Sequence, residues 1–323
     1  MTQNLTLDFP ISDQLIDFAE SLRLRGKLPA TVESYVRDAQ RFVAFTQEVG
    51  LPLKDVEPAT MVAFQDYLRH ELCERENSIR RTVIGVRLFF RFLMFTLKKG
   101  ESPFDVVPIP QRDERLPKTL VAEQIDLLLK VAADETPEIK AARDVAMVVL
   151  LSYEGMKANE LIQLRWVDLL DDGSNMTLAI PGTRARVIRL AASCRESLLR
   201  YREFHAQLSS RGITQTPHQH IFIAFKGREG GSLLPSMTRH GLKFVLYELG
   251  EKIRLPTLNT ELLRHYAVSH LIGLGRSPEE VMHHLGLRQL GNIAKHLHLT
   301  KSDETTLDHP QHRSSGDIET HSP

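Results

Sequence analysis

Between Ser78 and Lys99 the apolar residues Val83, Val86, Phe89, Phe90, Leu93 and Leu97 recur at three- and four-residue steps. That spacing puts them along one side of a helix. Arg80, Arg87, Arg91 and Lys98 fall on the other side with Arg81 beside them, and no acidic residue interrupts the run. The same periodicity occurs twice upstream. TVESYVRDAQRFVAF sets Tyr35, Ala39, Phe42 and Phe45 at helical steps behind Thr31 as N-cap, and EPATMVAFQDYLRHEL carries Pro58 near its start. Residues 13–104 therefore read as a small all-α domain of four or five helices.

SPFDVVPIPQRDERLPKTL has neither helical nor strand periodicity and marks a linker, set at 108–116. Helical spacing resumes in TLVAEQIDLLLKVAADE and KAARDVAMVVLLSYEGMKANELIQLRW. NMTLAIPG and RARVIRLAA, either side of the turn signal PGTR, read as a strand pair. Beyond Ala192 the chain reads as helical to about Leu299, and the polar residues 301–323 as a disordered tail. The predicted fold is mainly α with a small β-sheet, in two domains, 1–107 and 117–300.

A chain of 323 residues can bury two cores. No apolar run approaches the roughly 20 residues that span a bilayer, and MTQNLTLDFPISDQ lacks the basic start and apolar run of a signal peptide. Cys73 and Cys194 lie too far apart for a disulfide framework, which fits a reducing, cytoplasmic setting. The formal net charge is zero, so a polyanionic partner would have to be recognised by the distribution of charge rather than its total. His283, His284, His296 and His298 match no zinc spacing, so neither a metal nor a cofactor is expected.

In this order the segments resemble the tyrosine recombinases, in particular the Xer-like phage integrases, from Asp13 to Thr300. TVESYVRDAQRFVAF is similar to T-x-x-x-Y-x-x-D-x-x-x-F, and RTVIGVRLFFRF to R-x-L-S-A-L-R-x-F-F-x-F. LLSYEGMKANELIQLRWVDL resembles L-L-x-T-G-L-R-x-S-E-L-x-x-L-R-W-x-D. LLRHYAVSHLIGLG resembles L-R-H-T-F-A-T-H-L-L-x-x-G, and PGTRARVIRL resembles K-G-x-K-x-R-x-V-P-L. The resemblance implies an N-terminal helical, SAM-like core-binding domain and a C-terminal catalytic-type domain that together clamp duplex DNA.

The family's chemistry needs a tyrosine that attacks a DNA phosphate, two arginines on the non-bridging oxygens, a lysine that protonates the leaving oxygen, and two assisting histidines. Placed on the motifs, these positions hold Lys157 for the first arginine, Pro181 for the lysine and Glu261 for the first histidine. Arg264 is the second arginine, retained, while Leu287 replaces the second histidine and His296 the tyrosine. The resemblance thus implies a DNA-binding protein with a degenerate reaction centre. It would be an accessory or regulatory factor in recombination, integration or transposition, partnered by double-stranded DNA and by active recombinases or copies of itself. The alternative is an active strand-transferase with His296 as nucleophile. A third reading is a protein-interaction module that has lost DNA altogether. Tyr266 is read as core and not as a relocated nucleophile, from its neighbours Leu262, Leu263, Ala267 and Leu271.

For DNA contact the expected residues are Arg80, Arg81, Arg87 and Arg91 on the helical stripe, Arg184 and Arg186 on one face of the strand pair, and Lys157 with Arg264. The stripe lies opposite the apolar face, so its removal is expected to leave folding intact.

Overall fold

The computed structural model describes residues 10–112, 119–182, 184–208, 216, 218–226, 232–289 and 293. The chain divides into two compact units, Met1–Arg115 and Leu116–Pro323. Among the described residues no helix is long and apolar enough to cross a membrane.

The first unit is built from α1 (Ile11–Leu24), α2 (Pro29–Glu48), α3 (Pro58–Asp66) and α4 (Glu76–Thr96). Proline supplies the first turn of α2 and α3, where a missing N–H costs nothing. The α2 helix therefore starts ahead of Thr31, with Leu28 and not Thr31 at the cap position. α3 runs on into a π-helical turn at Tyr67–Glu71. Phe42 is the hub of the core, edge-on to Phe64 at 5.1 Å, to Phe90 at 5.4 Å and to Phe104 at 5.3 Å between ring centroids. Such pairs add about 0.5–1.5 kcal/mol each beyond the burial of area. Phe104 and Val107 are buried in this core, so the proline-rich segment is tied to the first unit at its start and is not free linker there.

In the second unit α5 (Ala122–Ala133) and α6 (Glu138–Ser152) lead to the short α7 (Ala158–Gln163). A three-stranded antiparallel sheet comes next, β1 (Leu169–Asp171), β2 (Met176–Ile180) and β3 (Arg186–Arg189) in that order. Then come α8 (Ala192–Ala206), α9 (Arg239–Lys252), α10 (Thr260–Gly273) and α11 (Pro278–Leu285). α6 is buried nearly all round and forms the centre of the core. Between α8 and α9 the chain makes a second strand pair, β4 (Ala224–Lys226) with β5 (Ser232–Leu234), in a stretch expected to be helical. Strands of three residues are too short to show an alternation in the sequence. Tyr266 is buried, as its neighbours indicated.

The β2–β3 register sets Leu178 against Ile188 and Ile180 against Arg186. Met176, Leu178 and Ile180 are buried along β2, as are Arg186 and Ile188 along β3, while Val187 and Arg189 are exposed. The hairpin thus delivers an arginine to the interior.

Candidate functional site

That arginine is gripped on arrival. Arg186 Nη1 lies 2.9 Å from Glu160 Oε1, and Nη2 donates to Oε2 at 3.2 Å. Its Nε donates to the His284 carbonyl at 2.6 Å. Burial alone would raise the Glu160 carboxyl, but the hydrogen bonds from Arg186 and from the Lys157 amide outweigh it and hold it below its ordinary value. Arg184 sits in the turn before β3, half-buried, and not on the strand. The expectation that Arg184 and Arg186 share one exposed face is therefore corrected. Arg186 faces inward because the register aligns it with the buried side of β2, and its charge is already matched by Glu160.

Lys157 caps α7. Its side chain is half-exposed, with Nζ 3.7 Å from Glu160 Oε1. Arg264 projects from α10 and is buried; Nη1 donates to the Gly155 carbonyl and Nη2 to the Leu285 carbonyl, the latter at 2.7 Å. Burial draws its pKa below the ordinary guanidinium value, with the field of Glu160 acting against that shift. Of the other described positions, Pro181 and Leu287 carry no group that can pass a proton to or from a phosphate. Pro181 is exposed at the end of β2. Glu261 is exposed in the first turn of α10, where Asn259 Oδ1 accepts from its amide at 2.9 Å, a place where the helix dipole favours an acid. Leu287 packs on the small cluster of Val268, Leu271, Val281, Leu285 and Ile293. His296 lies outside the described residues.

The arginine stripe of α4 also needs correction. Arg87 donates three hydrogen bonds to carbonyls, of Phe104 at 2.8 Å, Asp105 at 2.6 Å and Val107 at 2.8 Å. Arg80 donates to the Pro110 carbonyl at 2.7 Å. Arg91 pairs with Asp105 at 2.8 Å, and Arg81 pairs with the fully buried Asp38 at 2.8 Å. The acidic partners of Arg81 and Arg91 come from α2 and from the turn after α4, while the one acid of α4, Glu76, pairs with Arg69. Of the four, Arg81 and Arg91 keep exposed guanidiniums, whereas Arg87 works inward.

Residues 118–303 match the family model described as the phage integrase family, and residues 15–95 the one described as phage integrase, N-terminal SAM-like domain. The chain belongs to the phage integrase family. It is 27% identical over 283 residues to the tyrosine recombinase XerD of Halalkalibacterium halodurans, covering 86% of this chain and 90% of that protein. Against the tyrosine recombinase XerC of a Roseiflexus species it is 26% identical over 291 residues, 90% of each chain. The fold is similar to that of the XerH site-specific recombinase, crystallised on a palindromic difH substrate in a post-cleavage complex. There the TM-score is 0.67 at 16% identity, covering 94% of this chain and 90% of that one.

Set on this structure, the retained letters of the phage-integrase motifs turn out to bond to one another. The aspartate Asp38 and the first arginine Arg81 of the two N-terminal motifs form one pair, and a Cβ at Gly85 would already press on Asp38 at 2.8 Å. Glu160 and Arg186 form another. Gly155 has a left-handed φ of +61°, and a Cβ there would meet that of Ala267 at 2.9 Å. Its carbonyl receives Arg264. Gly286, also at φ +61°, ends α11 where a Cβ would meet Arg186 Nη1 at 2.9 Å. Glu160 and Arg186 were legible as motif letters, but their roles in holding the scaffold had no signal in sequence spacing.

Proposed function

We propose that this phage-integrase family member holds duplex DNA without breaking it, as an accessory or regulatory factor in recombination, integration or transposition. The observation that carries the reading is the state of Arg264. The one retained phosphate-gripping letter gives donors from both terminal nitrogens to the protein's own carbonyls. The other reaction-centre positions hold Lys157, Pro181, Glu261 and Leu287, and the nucleophile position holds His296. Lysine offers a point charge where the family's arginine offers a fork. Proline and leucine can neither donate nor accept a proton.

DNA binding in this reading rests on the family and on neighbours such as XerH, which was solved on its DNA substrate. It uses the exposed Arg81 and Arg91 and the half-exposed Lys157 and Arg184, whereas Arg87 and Arg186 face inward and make no direct contact. The test has two arms. In the first, the full chain binds duplex DNA with an affinity that falls steeply with salt, at a log–log slope of about −0.9 per neutralised phosphate; no binding at low salt on any duplex would sink the reading. In the second, a nicked suicide duplex gives no protein–DNA adduct that survives boiling in detergent. An adduct that vanishes in His296→Ala would make the protein a strand-transferase with a histidine nucleophile.

A further inference from the structure

Two departures from the motifs meet in space. Glu154 stands at the threonine of L-L-x-T-G-L-R and His284 at the first leucine preceding the glycine of L-L-G-H-S. Both are buried, with His284 Nε2 2.9 Å from Glu154 Oε2. On the other side of the ring, Nδ1 faces Arg276 Nη1 at 3.1 Å. A guanidinium can only donate, so Nδ1 accepts from Arg276, while Nε2 lies in contact with the carboxylate. Glu154 Oε1 is in turn held by the Ala191 amide at 2.8 Å. A buried carboxylate thus packs against an imidazole, and the imidazole holds a guanidinium whose Nε and Nη2 have no hydrogen-bond partner among the described residues.

Arg276 lines a recess of about 330 Å³ together with Arg189, His283, His284, Glu280, Val187 and Ile188. Arg189 reaches it from the exposed face of β3, with one nitrogen donating to Asn175 Oδ1. His283 is exposed on α11. Glu280 is the one carboxylate in the lining, and its Oε2 accepts from the Ser277 amide at 2.8 Å. None of the five reaction-centre positions among the described residues lines this recess.

We propose that the recess binds a phosphate group, held by the guanidiniums of Arg276 and Arg189 with His283 at the rim. Two guanidiniums lining one small concavity, each with nitrogens beyond the one that holds Asn175 or His284, suit the tetrahedral oxygens of a phosphate. A contact of this kind fixes register on a duplex without reading its sequence. The source could be a DNA backbone or a free phosphate, and only the first rests on the DNA-binding reading above.

The probe is inorganic phosphate, titrated into the full chain at constant ionic strength against chloride, with the histidine ring signals followed by NMR. Phosphate shifts the His283 and His284 rings saturably in the wild type and leaves them in place in Arg276→Gln/Arg189→Gln. Glu280→Gln keeps the helix cap and tightens binding roughly twofold to fivefold, the size of an exposed ion pair. Rings that respond no more to phosphate than to chloride overturn the site, as do rings that respond equally in the double variant. Should the arginine variants fail to fold, an affinity that does not rise in Glu280→Gln overturns it instead. A short duplex that displaces phosphate assigns the site to the DNA backbone; one that binds alongside phosphate assigns it to a free phosphate. A chain that binds phosphate here and no duplex overturns the proposed function and leaves this site standing.

Discussion

Arg186 and Glu160 meet fork to fork in the interior of the second unit, Nη1 to Oε1 at 2.9 Å and Nη2 to Oε2 at 3.2 Å. The pair joins β3 to α7, and through the His284 carbonyl it reaches the end of α11. It therefore binds together the three segments that carry Lys157, Arg184 and Leu287. Neither residue has charge left over for a ligand, and both are letters that the family motif retains.

Removing one partner of this pair should be costly. Arg186→Met leaves the buried carboxylate with only the half-exposed Lys157 at 3.7 Å as counter-ion, and roughly 3 kcal/mol of stability is expected to go, measured by urea denaturation of the full chain. The pH dependence should also invert. In the wild type Glu160 is held below 4.5, so its contribution is present above that pH and is lost as pH falls. In Arg186→Met desolvation wins, the folded carboxyl rises above its unfolded value, and acid becomes relatively stabilising. A variant that loses less than about 1 kcal/mol would show that the pair holds little.

Arg87 and Arg91 lie one helical turn apart on α4 and should behave differently. Arg87→Ala strands three carbonyls of the turn 104–107, and hydrogen bonds to a charged group are worth about 1.5–3 kcal/mol. Arg91→Ala breaks one exposed pair, worth about 0.2–1 kcal/mol. Thermal melts of the two single variants decide it, and equal losses would refute the assignment. Duplex affinity should fall in Arg91→Ala without loss of fold.

The contrast between these two arginines shows what the sequence could and could not tell. Helical periodicity placed α4 and its buried face to within a few residues, because burial imposes the spacing directly. It also separated apolar from charged sides. It could not say which charged residues look outward, because their partners, Asp38, the Asp105 carboxylate and the carbonyls of Phe104, Asp105 and Val107, are distant in sequence or lie in an aperiodic turn. The β2–β3 pair was legible from its turn, whereas β4 and β5 were too short to register. Five reaction-centre positions were placed by motif alone and fall on described residues. That Arg264 ties two separate segments together through the Gly155 and Leu285 carbonyls had no signal in the sequence.

His205 gives a prediction about pH. It is fully buried against Trp166 at 5.4 Å and Tyr201 at 5.8 Å, and neither ring nitrogen has a hydrogen-bond partner among the described residues. Burial lowers its pKa below 6.5. The unfolded chain then takes up a proton before the folded one does, so stability is full above pH 6.5 and declines as pH falls below it. His205→Phe should flatten the part of this decline that His270, also lowered by burial, does not supply. Urea midpoints from pH 7.5 to 5.5 measure it. An unchanged slope in His205→Phe would mean that the ring does not stay neutral.

The last prediction concerns repair of the reaction centre. His296→Tyr restores a nucleophile but leaves Lys157 for arginine, Pro181 for lysine, Glu261 for one histidine and Leu287 for the other. Loss of a single transition-state donor costs on the order of 10²–10³ in rate, and several such losses, though not additive, should keep cleavage below detection. His296→Tyr is therefore expected to form no covalent adduct on a nicked duplex. Adding Lys157→Arg and Pro181→Lys is the step at which an adduct should first be seen, because these supply the phosphate fork and the proton for the leaving oxygen. Glu261 stays a hindrance, placing a carboxylate one turn before Arg264 on α10, so Glu261→His should raise the yield further. An adduct from His296→Tyr alone would mean that Arg264, although hydrogen-bonded to Gly155 and Leu285, still serves the phosphate, and that only the nucleophile had been lost.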